Sequence, residues 1–215
     1  MTSRHKQPAI LLVTLMGLPL LAHGQCPLTG PNFLVDAYFA LEADDPQSPH
    51  WKAHRHAGAA AYSTDISNGE LTIRKTAPQY WFYFGQRVSA VDLREQKLAF
   101  SAELKLDLTP AAGEYRSLRP GGGLTIKALT GGGILWTSQL NHQPRIGTSD
   151  WQPVQVVFAV PANAQVLDLG FLHEADGTLQ VRKPSLRAVD ESEAPCAITP
   201  DPTHPSNRPA ETPLR

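Results

Sequence analysis

The chain has little of what usually announces a function. Only two of its 215 residues are cysteine, which excludes a multi-bridge disulfide scaffold and a cysteine-rich zinc module. An excess of one charge is missing too. Lys and Arg number 19 against 20 Asp and Glu, a formal net charge of −1, with no run of clustered basic residues. That balance argues against nucleic acid or an anionic membrane surface as a partner. No G-x-S-x-G is present. The glycine clusters at Pro120–Gly123 and Thr130–Gly133 lack a following Lys-Ser/Thr, so they read as turns rather than phosphate loops. Helical periodicity of useful length is absent, and no long apolar run follows residue 21.

The one apolar run lies at the start. Arg4 and Lys6 precede Ile10 to Leu21, and Ala22-His23-Gly24 closes with small residues at its first and third places. This order is that of a secretory signal peptide spanning residues 1–24, cleaved after Gly24. The run is short for a membrane span, so the exported chain is expected to be soluble, without membrane insertion, in a periplasm or outside the cell. Gln25 stands before Cys26 where a lipobox needs Gly, Ala or Ser, which argues against a lipid anchor. Losing Arg4 and Lys6 makes the exported chain more acidic by two charges.

Cys26 and Cys196 bracket what remains. In an oxidising destination the pair reads as a disulfide, the alternative being two unpaired buried thiols. A bridge would bring the two ends of the domain side by side. The domain is therefore placed at residues 25–196. From Ala197 to Arg215 five of nineteen residues are proline, with few large apolar groups, and this segment reads as a disordered tail or linker.

Between the cysteines the runs are strand length and bounded by turn residues. Asn32 to Asp36 reads as a first strand; for Phe39 to Ala43 the periodicity does not decide whether a helical turn is added. Leu71 to Arg74 alternates behind the turn signal Asn68-Gly69. Tyr80 to Val88 is the most aromatic window, and Phe100 to Leu108 alternates apolar with charged residues. Leu124 to Leu129 and Ile134 to Leu140 follow. Trp151 enters the run Val154 to Val160 as a large anchor; Val166 to Leu172, a polar turn at Asp176-Gly177 and Thr178 to Val181 complete the set. Eight or more short strands with turns between them specify an all-β sandwich.

The order seen from Thr148 to Leu186 is a Trp-led strand ending in Pro161, a second strand, a Gly turn and a closing strand. It resembles the C-terminal half of the galactose-binding-like jelly-roll carbohydrate-binding modules attached to xylanases and other glycanases. The resemblance covers roughly Asn32 to Val189 and implies a jelly-roll β-sandwich that binds a poly- or oligosaccharide on a concave aromatic face. It puts ligand contacts near His54, on Trp81, near Trp136 and near His173. It departs at the calcium position of those families. Phe39-Ala40 and Arg182-Lys183-Pro184 offer no carboxylate there, so no metal and no cofactor is expected.

The residues alone support part of this. In a strand, Tyr80, Phe82 and Phe84 share one face while Trp81 and Tyr83 share the other. Aromatics favour burial, but both faces cannot meet one core. Phe82 and Phe84 are the better core pair, leaving Trp81 and Tyr83 for solvent or a cleft, with Trp136 available from another strand. His50, His54 and His56 have no acidic or thiol partner nearby and read as a surface loop rather than a metal site. Glu103 and Asp107 flank Lys105 on one strand face, a solvated pattern rather than a glycosidase pair. Two other functions stay open: a protein-interaction or structural sandwich, and a jelly-roll lyase assembled from Tyr83, His173 and Arg87.

Overall fold

A computed structural model describes residues 25–40, 50–56, 60–112, 120–138, 145–192 and 195–199, excepting the side chains at 136 and 138. Residues 1–24, expected to be a leader, residues 41–43 and the residues beyond 199 lie outside the described residues. The strands are β1 (Leu28–Thr29), β2 (Lys52–Arg55), β3 (Tyr62–Ser67), β4 (Glu70–Lys75), β5 (Phe82–Ser89) and β6 (Lys97–Thr109). They continue as β7 (Gly122–Thr130), β8 (Gly133–Ser138), β9 (Gly147–Ala159), β10 (Val166–His173) and β11 (Asp176–Val189). One sheet has the order β3-β4-β11-β6-β9, with β1 added on β11; the other runs β2-β5-β10-β7-β8. All pairs are antiparallel. This is a jelly-roll β-sandwich, and the chain changes sheets repeatedly, so strands distant in sequence become neighbours.

Alternation decides which residues meet between the sheets. From the five-stranded sheet Phe82, Phe84, Ile126, Leu167, Leu169 and Phe171 point inward and are essentially unexposed. Leu71, Ile73, Phe100, Leu104, Leu179 and Val181 answer from the other sheet. Trp51, just before β2, is the aromatic anchor: its indole stacks on Phe84 at 5.6 Å and 3°, and on Phe171 at 5.7 Å and 18°. Its Nε1–H donates to the Asp36 carbonyl, so the buried indole keeps a partner. Trp151 does not anchor the core. It sits at the β6–β9 bulge between Leu104 and Leu106, with the Arg182 guanidinium 4.2 Å above its ring.

Asn68-Gly69 turns β3 into β4 with both residues at positive φ, as an Asn-Gly hairpin requires. Asn32 to Asp36, read from sequence as a strand, is not one. The Asn32 side chain accepts from the Leu34 and Leu186 N–H groups and donates to the Pro184 carbonyl. Side-chain bonding thus replaces the strand ladder. It does so where β11 is bulged between Arg182 and Ser185, around a proline that has no N–H to give. Buried Gln86 does the same for Val35, accepting from its N–H at 3.0 Å and donating to its carbonyl at 2.9 Å. Asp176-Gly177, expected to be a turn, opens β11, and the passage from β10 carries the chain from one sheet to the other.

Cys26 and Cys196 are joined by a disulfide closing a separation of 170 residues, with Cα atoms 5.9 Å apart. The two ends lie side by side, since Leu28 and Thr29 pair with Val189 and Ala188. Beyond the second cysteine, Thr199 donates its N–H to the Val157 carbonyl and accepts from the Val157 N–H on its hydroxyl.

Candidate functional site

The outer face of the five-stranded sheet is organised in cross-strand rows. Arg87, Asp168 and Lys127 are opposite one another on β5, β10 and β7. One step along come Gly85, Gly170 and Thr125, and another step brings Tyr83, Leu172 and Gly123. His54 of β2 stands opposite Tyr83. The paired glycines Gly85 and Gly170, between the side chains of Arg87 and Asp168 on one side and Tyr83 and Leu172 on the other, leave a trough.

Tyr83 lies down in that trough. A Cβ on Gly85 would come within 2.1 Å of the Tyr83 hydroxyl, and one on Gly170 within 2.6 Å of its ring and 2.3 Å of the Phe84 carbonyl. Only a glycine pair at these two positions lets the ring rest on the sheet. The ring therefore faces outward by register yet is only 9% exposed. Its hydroxyl donates to Asp168 Oδ1, while Arg87 Nε donates to Asp168 Oδ2 at 3.2 Å. Burial first, then the negative charge of Asp168, pushes the phenol far above its ordinary value, so it stays protonated and holds the carboxylate. His54 stacks on the ring at 5.8 Å and Lys127 Nζ hovers 5.8 Å from its centroid.

Around this floor opens a pocket of about 400 Å³, lined by His54, Trp81, Tyr83, Arg87, Thr125, Lys127, Asp168, Leu172 and Glu174. Trp81 is half-buried, packed beside Tyr83 and Leu172 and edged by His56 at 6.0 Å. Thr125 is 3% exposed, and its hydroxyl has no hydrogen-bond partner among the described residues. A buried hydroxyl without a partner costs free energy, on the order of 1–3 kcal/mol. Here it sits in the wall of the pocket.

Three of the five expected contact residues, His54, Trp81 and Tyr83, thus come together. Trp136 lies in β8 opposite Ala128, and its side chain is outside the described residues. His173 is not brought to the pocket. It ends β10 facing the core, unexposed, with Nε2–H donating to the Gly177 carbonyl at 3.3 Å and Nδ1 accepting from Ala175 N–H at 3.4 Å. This bonding holds the neutral ring, and burial lowers its pKa to about 4. With a two-residue period one step decides the face, and the neighbouring Glu174 lines the pocket instead. The lyase grouping of Tyr83, His173 and Arg87 therefore does not form. Sequence reading missed Thr125, Lys127 and Asp168 altogether. Polar residues at outward positions of otherwise apolar strands were the signal that pointed to them.

His56 Nδ1 bonds Gln79 Oε1 at 3.1 Å, and no group of three or more His, Cys, Asp or Glu side chains gathers for a metal among the described residues. No described helix is long and apolar enough to cross a membrane.

No protein-family model matches the chain, and no curated protein sequence matches it. Solved structures do. The enzymatically active domain of bacteriophage CBA120 tailspike protein 4 is similar over 74% of this chain at 11% identity, with a TM-score of 0.52. The match spans only 21% of the tailspike chain and speaks for the fold alone. A CBM4 carbohydrate-binding module is similar over 72% of this chain and 99% of its own, at 15% identity and a TM-score of 0.48. The CBM22-1 xylan-binding domain from Paenibacillus barcinonensis Xyn10C is similar over 66% of this chain and 88% of its own, at 15% identity and a TM-score of 0.43.

Proposed function

We propose that this chain is an exported, non-catalytic carbohydrate-binding module whose pocket on the five-stranded sheet takes a poly- or oligosaccharide. The observation that carries the reading is one pocket lined both by half-buried Trp81 and by Thr125, whose buried hydroxyl has no partner among the described residues. Sugars present apolar C–H faces and hydroxyl groups together, so a site for them needs a flat ring and unspent hydrogen-bonding capacity within reach of each other. Asp168 is fixed by Tyr83 and Arg87, so its remaining lone pairs point the same way before any ligand arrives. A flat apolar patch suited to a protein partner would lack such convergent polar groups.

Hydrolysis fits the arrangement less well. The pocket carboxylates Asp168 and Glu174 are six residues apart, about 20 Å along an extended strand. A glycosidase pair needs about 5 to 9.5 Å. The leader-like residues 1–24 and the single disulfide both suit an oxidising destination outside the cytoplasm.

A glycan-array screen of the purified protein beside Trp81→Ala tests the proposal. Binding by the native protein that disappears in the variant, with circular dichroism unchanged, is the expected result. If neither protein binds any glycan, the saccharide reading falls and capture of a protein partner becomes the next experiment.

A further inference from the structure

The pocket's charges are not evenly spent. Of its carboxylates, Asp168 is engaged by Tyr83 and Arg87. Of its two permanent cations, Arg87 is paired with Asp168, while Lys127 makes no ion pair among the described residues. Lys127 is nevertheless not a loose surface lysine. It is half-buried, with its ammonium held over the Tyr83 ring that floors the pocket. A third cation, Lys52, stands opposite Gly85 at the open edge of the same face, exposed and likewise without an ion pair among the described residues. Arg87 and Lys127 balance Asp168 and Glu174 in the pocket lining, and Lys52 at its edge leaves one surplus positive charge, on a chain whose formal net charge is −1.

The unspent groups are also well placed relative to each other. Thr125 and Lys127 are two residues apart on β7 and point to the same side, about 7 Å from one another along the strand. An orphaned hydroxyl and an unpaired ammonium at that spacing match a sugar ring that carries both a hydroxyl and a carboxylate. Resting on the saccharide reading above, we propose that the ligand is an acidic saccharide, with a hexuronate unit whose carboxylate pairs with Lys127 and whose hydroxyl bonds Thr125. Long-range attraction from Lys52 would add to the capture of such a chain, and would weaken with salt.

The test uses tetrasaccharide pairs that differ only in oxidation at C6: β-1,4-glucuronate against β-1,4-glucose, and β-1,4-mannuronate against β-1,4-mannose. Titration calorimetry of the full exported chain is run at low and at high sodium chloride, with a sulfated galactose oligomer as a third arm. One charge-assisted hydrogen bond corresponds to about tenfold or more in affinity. At least one uronate is therefore expected to bind about tenfold tighter than its neutral twin at low salt, with the ratio shrinking at high salt. Lys127→Met should bring that ratio close to one, and Lys127→Arg should keep it.

A neutral oligomer bound as tightly as its uronate overturns this proposal and leaves the saccharide reading standing. Binding of the sulfated oligomer without either uronate overturns the carboxylate assignment. Failure of every saccharide defeats both readings together. A uronate preference that survives Lys127→Met would remove Lys127 from the account.

Discussion

The sandwich has two outer faces, and each carries a depression of nearly the same size. On the sheet of β3, β4 and β11 a basin of about 420 Å³ lies among Ser63, Asp65, Thr72, Arg74, Thr178 and Gln180. On the other sheet the Trp81–Tyr83 pocket is about 400 Å³. Volume does not separate them; chemistry does. The basin has no aromatic wall, and within it Gln180 donates to Thr72 at 3.4 Å. Beside it Arg182 reaches Glu103 at 2.6 Å and Glu70 at 3.3 Å, and Lys183 reaches Glu103 at 2.8 Å. The hydrogen bond from Lys183, followed by those of Arg182, holds Glu103 below the usual carboxylate range. Along that face Arg182, Lys183, Glu70 and Glu103 are already paired. The opposite face keeps a buried hydroxyl without a partner among the described residues, in the pocket that Trp81 and Tyr83 also line.

The largest effect expected from disturbing this arrangement comes from acid, through the inward side of the same strand that bears Asp168. His173 has a folded pKa of about 4 against an ordinary 6.5. Between those values the unfolded chain binds a proton that the folded chain refuses. Stability should therefore fall as the pH drops from 6.5 to 4 and level off below, by about 3 kcal/mol in all. Urea unfolding at pH 7 and pH 4 measures it. His173→Gln, neutral throughout, should flatten that limb, and an unchanged limb in the variant would assign the acid loss elsewhere.

Next in size is Gly170→Ala. The new methyl meets a backbone carbonyl and the Tyr83 ring together, so a loss of about 2 kcal/mol is expected along with glycan binding. The matched change on the other face, Thr72→Ala, should stay within about 0.5 kcal/mol and leave binding intact. Equal effects of the two would erase the contrast between the faces.

Smallest in stability, and sharpest in sign, is Thr125→Val. Removing an unpartnered buried hydroxyl should leave folding unchanged or improve it by less than about 1 kcal/mol, while saccharide affinity falls. Thermal unfolding and calorimetry on one preparation read both. A drop in stability instead would mean that the hydroxyl already has a partner in the free protein.

Much of the architecture was legible because short-range rules govern it. Alternation alone assigned Phe82 and Phe84 to one face of the Tyr80–Val88 window and Trp81 and Tyr83 to the other. Asn68-Gly69 marked its hairpin through the positive φ it tolerates. The first strand was misplaced because Asn32 and Gln86 supply side-chain partners from elements far along the chain, which no local pattern reveals. Trp151 looked like the core anchor because its bulge, a property of pairing with β6, is invisible in sequence.

The residues around Tyr83 mark the division most sharply. The sequence by itself determined that the chain is built of short amphipathic strands, that its two cysteines bracket them, and that a tryptophan and a tyrosine must leave the core. Those follow from a two-residue period and from burial, which act within a few residues. Only the tertiary structure decided that Gly85 would face Gly170, that Asp168 and Thr125 would flank a ring some forty residues or more away, and that Glu174 rather than His173 would look outward. These are matters of which strands lie side by side and in what register, and register is set by packing across the whole sandwich.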